Sequence, residues 1–136
     1  MWRNKRGTVI MKDKLRHIGV FTSGGDSPGM NAAIYGIAKA ADSNGIKLSG
    51  IQKGFDGMIN GNIVHLVISE LEKKVHVGGT ILKTARSERF RTIEGRKAAL
   101  KTLEEHDIDA LVAIGGDGTF KGLMVFSEIN QIPCIG

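Results

Sequence analysis

"IDALVAIGGDGTFKG", residues 108–122, is the stretch on which the fold turns. An apolar, β-branched run over 108–114 reads as a buried strand. It runs straight into Gly115-Gly116-Asp117-Gly118-Thr119. A plain turn needs one glycine, or two. Three glycines around one carboxylate imply that something must approach the backbone closely, because glycine alone offers no Cβ to hold it off. "FKGLMVFSEIN" then reads as a helix, and "IPCIG" (132–136) as the start of another strand.

The same arrangement occurs earlier in the chain. "HIGVFTS" (17–23) reads as a short buried strand ending in Gly24-Gly25-Asp26-Ser27-Pro28-Gly29, and "MNAAIYGIAKAADSNG" (30–45) as a helix with Ala33, Ile37 and Ala41 at four-residue spacing. "IKLSGIQKG" (46–54) reads as a second strand, "FDGMINGNIVHLV" as turns with a short extended piece, and "ISELEKKVHVGG" as a short helix or turn. "TIEGRKAALKTLEEHD" (92–107) is an amphipathic helix with Ile93, Ala99, Leu100 and Leu103 on one face. Repeated strand–turn–helix units predict an α/β fold of three layers, a mostly parallel sheet with helices on both faces. Strands are expected at 17–22, 47–52, 109–114 and 132–135, with both glycine turns at the carboxyl edge, where ligands of open α/β sheets bind. The last strand is followed only by Gly136, where a functional loop is expected to begin.

Composition narrows the classes. With 136 residues, 41% hydrophobic and 24% charged, the chain reads as about one soluble domain. No apolar run is long enough for a membrane span, and the basic start lacks the apolar core of a secretory signal. The net charge of +5 sits in residues 1–16, while residues 17–136 carry thirteen charges of each sign. The basic tail therefore reads as solvated and disordered, and not as a nucleic-acid footprint on the folded body, residues 17–136. Met1 and Met11 are both possible starts. Cys134 reads as a small buried residue in a reducing compartment.

Each glycine turn faces a helix N-terminus, a geometry suited to phosphate. One such turn is also explained as a tight βα connection; two in one small domain favour a ligand. Neither fits G-x-x-x-x-G-K-[ST] or G-x-G-x-x-G. A carboxylate beside phosphate needs a cation between them, and Mg²⁺ is the ion held by one or two carboxylates plus phosphate oxygens. Asp117 is the first candidate. Asp26 is the second, with helix capping as its alternative. Between the turns, "GGTILKTARSERFR" (78–91) carries Arg86, Arg89 and Arg91. Arginine forks suit phosphate, and a solvated basic loop is the alternative for Arg89 and Arg91. Histidines 17, 65, 76 and 106 lack metal-ligand spacing.

"IGVFTSGGDSPGMNAAI", "GGTILKTARSERFR", "IDALVAIGGDGTFKG" and "IPCIG", in this order, closely resemble the N-terminal part of the ATP-dependent 6-phosphofructokinase family over residues 17–136. The resemblance implies transfer of the γ-phosphoryl of ATP to fructose 6-phosphate with Mg²⁺, in a cytoplasmic glycolytic homotetramer that needs neither nucleic acid nor membrane. Carried over, Gly25 would approach the phosphates, and Arg86 and Ser87 would lie by ATP, with Arg86 facing the transferred group. Gly116, Asp117, Gly118 and Thr119 would wrap the nucleotide, Asp117 would hold Mg²⁺, and Gly122 would make room for the nucleoside. Gly118 stands where pyrophosphate-using relatives carry a second Asp, and so favours ATP. The family's catalytic base lies in a T-I-D-N-D loop just after "PCIG", so here it is expected beyond Gly136. Residues 17–136 are accordingly expected to be an incomplete, truncated nucleotide-binding domain with no catalytic residue of its own, inactive alone. Tyr35, Lys39 and Ile68 replace effector-site arginines, which argues against the family's allosteric response. The alternatives are an NAD- or lipid-kinase-like enzyme sharing G-G-D-G-T, and a nucleotide-binding module without catalysis.

Overall fold

The computed structural model describes residues 2–3, 9–10, 15–25 and 29–136. Among the described residues seven strands occur in chain order: β1 (Trp2–Arg3), β2 (Val9–Ile10), β3 (His17–Thr22), β4 (Lys47–Ile51), β5 (Ile63–His65), β6 (Ala110–Ile114) and β7 (Cys134–Ile135). The helices are α1 (Met30–Ser43), α2 (Gly54–Asn60), α3 (Ile68–Lys74), α4 (Ile93–Glu105) and α5 (Asp117–Phe126), with a 3₁₀ turn at Arg89–Arg91. β1 and β2 pair antiparallel by themselves. The remainder of the basic tail up to residue 14, and Asp26, lie outside the described residues. Leu15 is already buried in the core, just ahead of the expected start of the folded body.

The main sheet has the order β5-β4-β3-β6-β7. β3, β4, β6 and β7 are mutually parallel, and only β5 at one edge is antiparallel. Successive strand residues face opposite sides, and the core divides accordingly. Ile18, Val20, Leu48 and Ala110 pack with Ile34, Ala38 and Ala41 of α1 and Leu71 of α3. Phe21, Ile51, Leu111 and Ala113 pack with Phe55 and Met58 of α2, Ala99 and Leu103 of α4, and Leu123 and Phe126 of α5. The three-layer expectation is met, with helices on both faces.

Five local readings are corrected. Residues 54–60 form a helix instead of turns: Gly57 is buried, and a Cβ there would run into the carbonyl of Gln52, so its glycine serves close packing of α2 on the strand end. α5 begins at Asp117, inside the glycine cluster, rather than after it. The buried stripe of α1 is Met30, Asn31, Ile34, Ala38 and Ala41, and Ala33 faces out. On α4 the buried residues are Gly95, Ala99, Thr102 and Leu103, while Ile93 is exposed. In α1 the period is right and the phase is shifted; in α4 Ala99 and Leu103 are buried as expected and Leu100 packs against the core, so only Ile93 departs. The last strand is shorter than 132–135: β7 pairs with β6 only through Cys134 and Ile135, because Pro133 ahead of them offers its carbonyl and no N–H. Gly136 follows β7 without regular structure, its backbone so close to the Phe120 ring of α5 that a Cβ there would collide with it.

The order of the sheet locates the ligand edge. From β3 the chain crosses through α1 to β4 on one side; β6 lies on the other side of β3, and its helix α5 packs on the opposite face. The strand order therefore reverses between β3 and β6. The carboxyl ends of such neighbours leave a crevice between diverging connections.

Candidate functional site

Both glycine turns open at that crevice. They are tied together by a bond from the Ser23 N–H to the Ile114 carbonyl, 3.0 Å. Gly115 sits at the junction: a Cβ there would meet the Thr119 hydroxyl and lie 2.8 Å from the Ser23 carbonyl. Its smallness is thus required by the fold itself. Gly25, Gly116 and Gly118 differ. None has positive φ, and a Cβ on any of them would meet nothing within 4 Å. Among the described residues, neither backbone conformation nor packing calls for glycine at these three positions. Gly36 and Gly78 are equally unconstrained, and what sets Gly25, Gly116 and Gly118 apart is that all three line one cavity.

The turns border a cavity of about 1090 Å³. Its rim carries Gly25, Gly116 and Gly118, and its wall carries Arg86 and Ser87 from the 83–88 segment. The aromatic part of the lining comes from Phe55 and Phe90, stacked with centroids 4.0 Å apart and planes at 15°. These rings continue a chain of contacts from Phe21 to Phe126 through the core. Arg91, Arg96 and Lys121 also line the cavity, against Glu88, so the lining is net cationic. Such a wall attracts anions and focuses their field in a concave site. α5 and α1 both start without a side-chain cap, whereas the Thr92 hydroxyl caps α4 by accepting the Gly95 N–H at 3.0 Å. The short helices α2 and α3 are uncapped too, so this feature is supporting, and the three unconstrained glycines carry more weight.

The other expected site residues fall around this crevice. Asp117 is exposed, in the first turn of α5 between Gly116 and Gly118. Thr119 lines the cavity but is 4% exposed and packs its side chain under Gly115. Gly122 also lines it, yet the space its missing side chain leaves is taken by the Phe55 ring, 2.9 Å from where a Cβ would sit. The Ser87 hydroxyl donates to Asp56 at 3.0 Å. Arg89 turns away from the crevice and pairs with Asp56 at 3.0 Å. Arg91 is on the wall, with Glu88 3.8 Å away. Gly136 follows the carboxyl end of β7, which runs parallel to β6, so the point beyond which the base is expected lies at the same edge of the sheet as the two turns. Among the described residues no group of three or more His, Cys, Asp or Glu side chains that could hold a metal ion occurs.

Phe55, Phe90, Arg96 and Lys121 were not legible as site residues. They come from four different elements, and no motif joins them. Tyr35 and Lys39 lie on α1 and Ile68 begins α3. No helix among the described residues is long and apolar enough to cross a membrane. Cys134 is partly buried, which pushes its thiol up to about 11.

Comparison with known proteins agrees with this fold. Residues 17–136 match the family model described as phosphofructokinase. The chain is 48% identical over 122 residues to the ATP-dependent 6-phosphofructokinase of Cytophaga hutchinsonii, covering 90% of this chain and 37% of that one. It is 50% identical over 121 residues to that of Alkaliphilus metalliredigens, covering 89% and 38%. The chain thus spans a little over a third of the length of these relatives. Among solved structures, Pichia pastoris phosphofructokinase in the T-state superposes with a TM-score of 0.79 at 36% identity, over 86% of this chain and 14% of that one. The pyrophosphate-dependent phosphofructokinase of Marinobacter aquaeolei reaches 0.78 at 19% identity, over 90% and 33%, a likeness of fold alone. The family match runs far beyond G-G-D-G-T, so the NAD- or lipid-kinase alternative, which rests on that motif, loses its footing.

Proposed function

The chain belongs to the phosphofructokinase family, and from that premise we propose that its crevice binds the phosphates of ATP as the nucleotide-binding part of an ATP-dependent 6-phosphofructokinase. The observation that carries this reading is the set of three glycines, 25, 116 and 118, that face open space without any internal need to be glycine. Their backbone N–H groups can reach phosphate oxygens, and the start of α5 adds its positive end. Arg86 supplies a guanidinium to the group being transferred, and the Ser87 backbone lies beside it. Thr119 acts from beneath the turn, by holding Gly115 and so the path of Gly116 to Gly118. Gly122 leaves room for Phe55 at the nucleoside end of the cavity.

Asp117 would hold Mg²⁺, which neutralises phosphate charge when bound. An exposed carboxylate fits an ion completed by phosphate oxygens and water. Gly118 leaves the turn with one carboxylate and thereby favours ATP over pyrophosphate. The acceptor is fructose 6-phosphate, in a cytoplasmic homotetramer. Residues 17–136 supply the donor side of that enzyme. The base that takes the sugar hydroxyl proton belongs to the sequence beyond Gly136. Phosphoryl transfer depends on positioning both substrates and stabilising charge, so the present chain alone should bind Mg·ATP weakly and phosphorylate no sugar.

Calorimetric titration tests this. Mg·ATP should bind the chain, NAD should not, and Asp117→Ala should remove the signal. Absence of ATP binding, or binding indifferent to Asp117→Ala, would overturn the assignment.

A further inference from the structure

The segment carrying Arg86 has no regular structure between Lys83 and Ser87. It is strung between two anchors. At one end the buried Thr22 hydroxyl donates to the Lys83 carbonyl at 3.1 Å. At the other end stands Asp56 on α2. Its Oδ1 accepts the Ser87 hydroxyl at 3.0 Å and Arg89 Nη2 at 3.0 Å. Asn60, one turn further along α2, accepts the same Arg89 nitrogen at 2.7 Å. The Ser87 oxygen in turn accepts the Phe90 N–H at 3.3 Å, at the start of the 3₁₀ turn. Side chains of α2 and the 87–90 segment are thus closed into one hydrogen-bonded clasp.

We infer that Asp56 is a positioning residue that sets the Arg86 arm against the crevice, acting through Ser87 and Arg89. This rests on the nucleotide reading for its consequence, though not for its geometry. An isolated surface ion pair would deserve little weight. Here one carboxylate oxygen gathers two donors from the same segment, and a second α2 side chain fixes the same guanidinium from another direction. The clasp has two chemical consequences. The Ser87 hydroxyl proton is directed at Asp56, so its side chain does not donate to a phosphate; Ser87 serves the arm's shape. Arg89 is held on α2, which leaves Arg86 as the arginine that this arm presents at the cavity wall. Burial pushes the Asp56 carboxyl up, but the bonds from Arg89 and Ser87, with the charges of Arg89 and Lys53, outweigh it and hold the carboxyl below its ordinary value. The clasp is therefore charged at neutral pH.

The test uses the 136-residue chain and its Asp56→Ala, Asp56→Asn, Arg89→Ala and Asp56→Ala/Arg89→Ala variants. Hydrogen exchange without nucleotide reads the clasp directly. In Asp56→Ala, amides 84–90 should exchange about tenfold faster, as for loss of one charge-assisted bond, while the sheet amides of β3 and β6 stay protected. With nucleotide, the preference for Mg·ATP over Mg·ADP should fall about fivefold or more, because Arg86 meets the terminal phosphate. The double variant should be no worse than the single ones, since they break one unit. Asp56→Asn, which keeps an acceptor for Ser87, should fall between. Unchanged exchange over 84–90 in Asp56→Ala would overturn the inference. So would an unchanged ATP-to-ADP preference in a chain whose binding still requires Asp117. Should the unaltered chain bind no ATP while exchange rises as stated, the clasp stands and the nucleotide reading falls.

Discussion

The two edges of the main sheet are built from the same strands and treat their polar groups in opposite ways. At the amino edge the cavity is about 390 Å³ and gathers His17, Lys47, Ser49, His65, His106 and Asp107. Several polar groups at this edge answer one another. Asp109 accepts the N–H groups of Arg16 and His17 at 2.6 and 2.9 Å. The His17 Nε2 and the Ser49 hydroxyl are 2.7 Å apart, and the His106 Nδ1 lies 2.9 Å from the Thr102 carbonyl. At the carboxyl edge the larger cavity faces three glycines that nothing among the described residues requires. The first edge holds three histidines and is structure; the second holds none and reads as a site. Chemically suggestive residue types identify a site less well than groups the fold leaves without a partner, because buried polar atoms are normally satisfied internally.

The comparison is easiest to break at Asp117. Replacing it with alanine should lower Mg·ATP affinity about 30-fold or more, the loss of a charged contact. Stability should change by less than about 0.5 kcal/mol, since the side chain is exposed. Calorimetry and thermal melts read the two quantities, and a melt that drops with affinity would make Asp117 structural. Gly115 should show the reverse. Gly115→Ala places a methyl group against Thr119 and the Ser23 carbonyl, and should destabilise the chain by about 1–3 kcal/mol. Gly116→Ala, at a position open on all sides, should leave stability unchanged while weakening ATP binding. Equal stability of these two variants in urea would erase the distinction between fold glycines and site glycines.

Gly118→Asp separates stability from binding by sign. A second carboxylate in the first turn of α5 should favour the helix by about 0.3–1 kcal/mol through its dipole. It should also repel phosphate and reduce Mg·ATP affinity about tenfold. A variant that binds ATP as tightly as before would remove Gly118 from donor selection.

The smallest effect belongs to the amino edge. Burial of the imidazole, then the charge of Lys47, hold His17 below its ordinary 6.5 despite hydrogen bonds to the backbone of His106 and Asp107 and the charge of Asp109. The unfolded chain therefore takes up a proton near pH 6.5 that the folded chain refuses until lower pH. Stability should decline as pH falls below about 6.5 and stop declining once the folded imidazole protonates. In His17→Asn that component of the slope should vanish from urea titrations across roughly pH 5–7, and ATP binding should be untouched.

The sequence made the sheet legible because parallel strands are written as short continuous apolar runs. His17–Thr22 and Ala110–Ile114 are plain in that sense, and their pairing follows from the two turns. α2 was hidden because Gly54, Gly57, Asn60 and Gly61 have turn propensities. Its helix is imposed by packing: Phe55 and Met58 are buried, and Gly57 seats against Gln52. The phase of α1 was missed because small residues surround the helix, so alanine spacing alone does not say which side is inward. At the site, the glycines and Asp117 were legible since each turn is contiguous in sequence. Phe55, Phe90, Arg96 and Lys121 were not, and neither was the Asp56 clasp, which joins residues 31 and 33 positions apart. The seating of Gly136 on Phe120 was hidden for the same reason, since strand end and helix meet only once the sheet is assembled.

Amide-resolved NMR of the labelled chain, titrated with Mg·ATP, puts both edges in one experiment. Shifts should saturate at Gly25, Gly116, Gly118, Thr119 and the 84–88 arm, with His17, His65 and His106 unmoved. Shifts centred on the amino-edge histidines, or none at the glycine turns at saturating nucleotide, would contradict the nucleotide-site assignment.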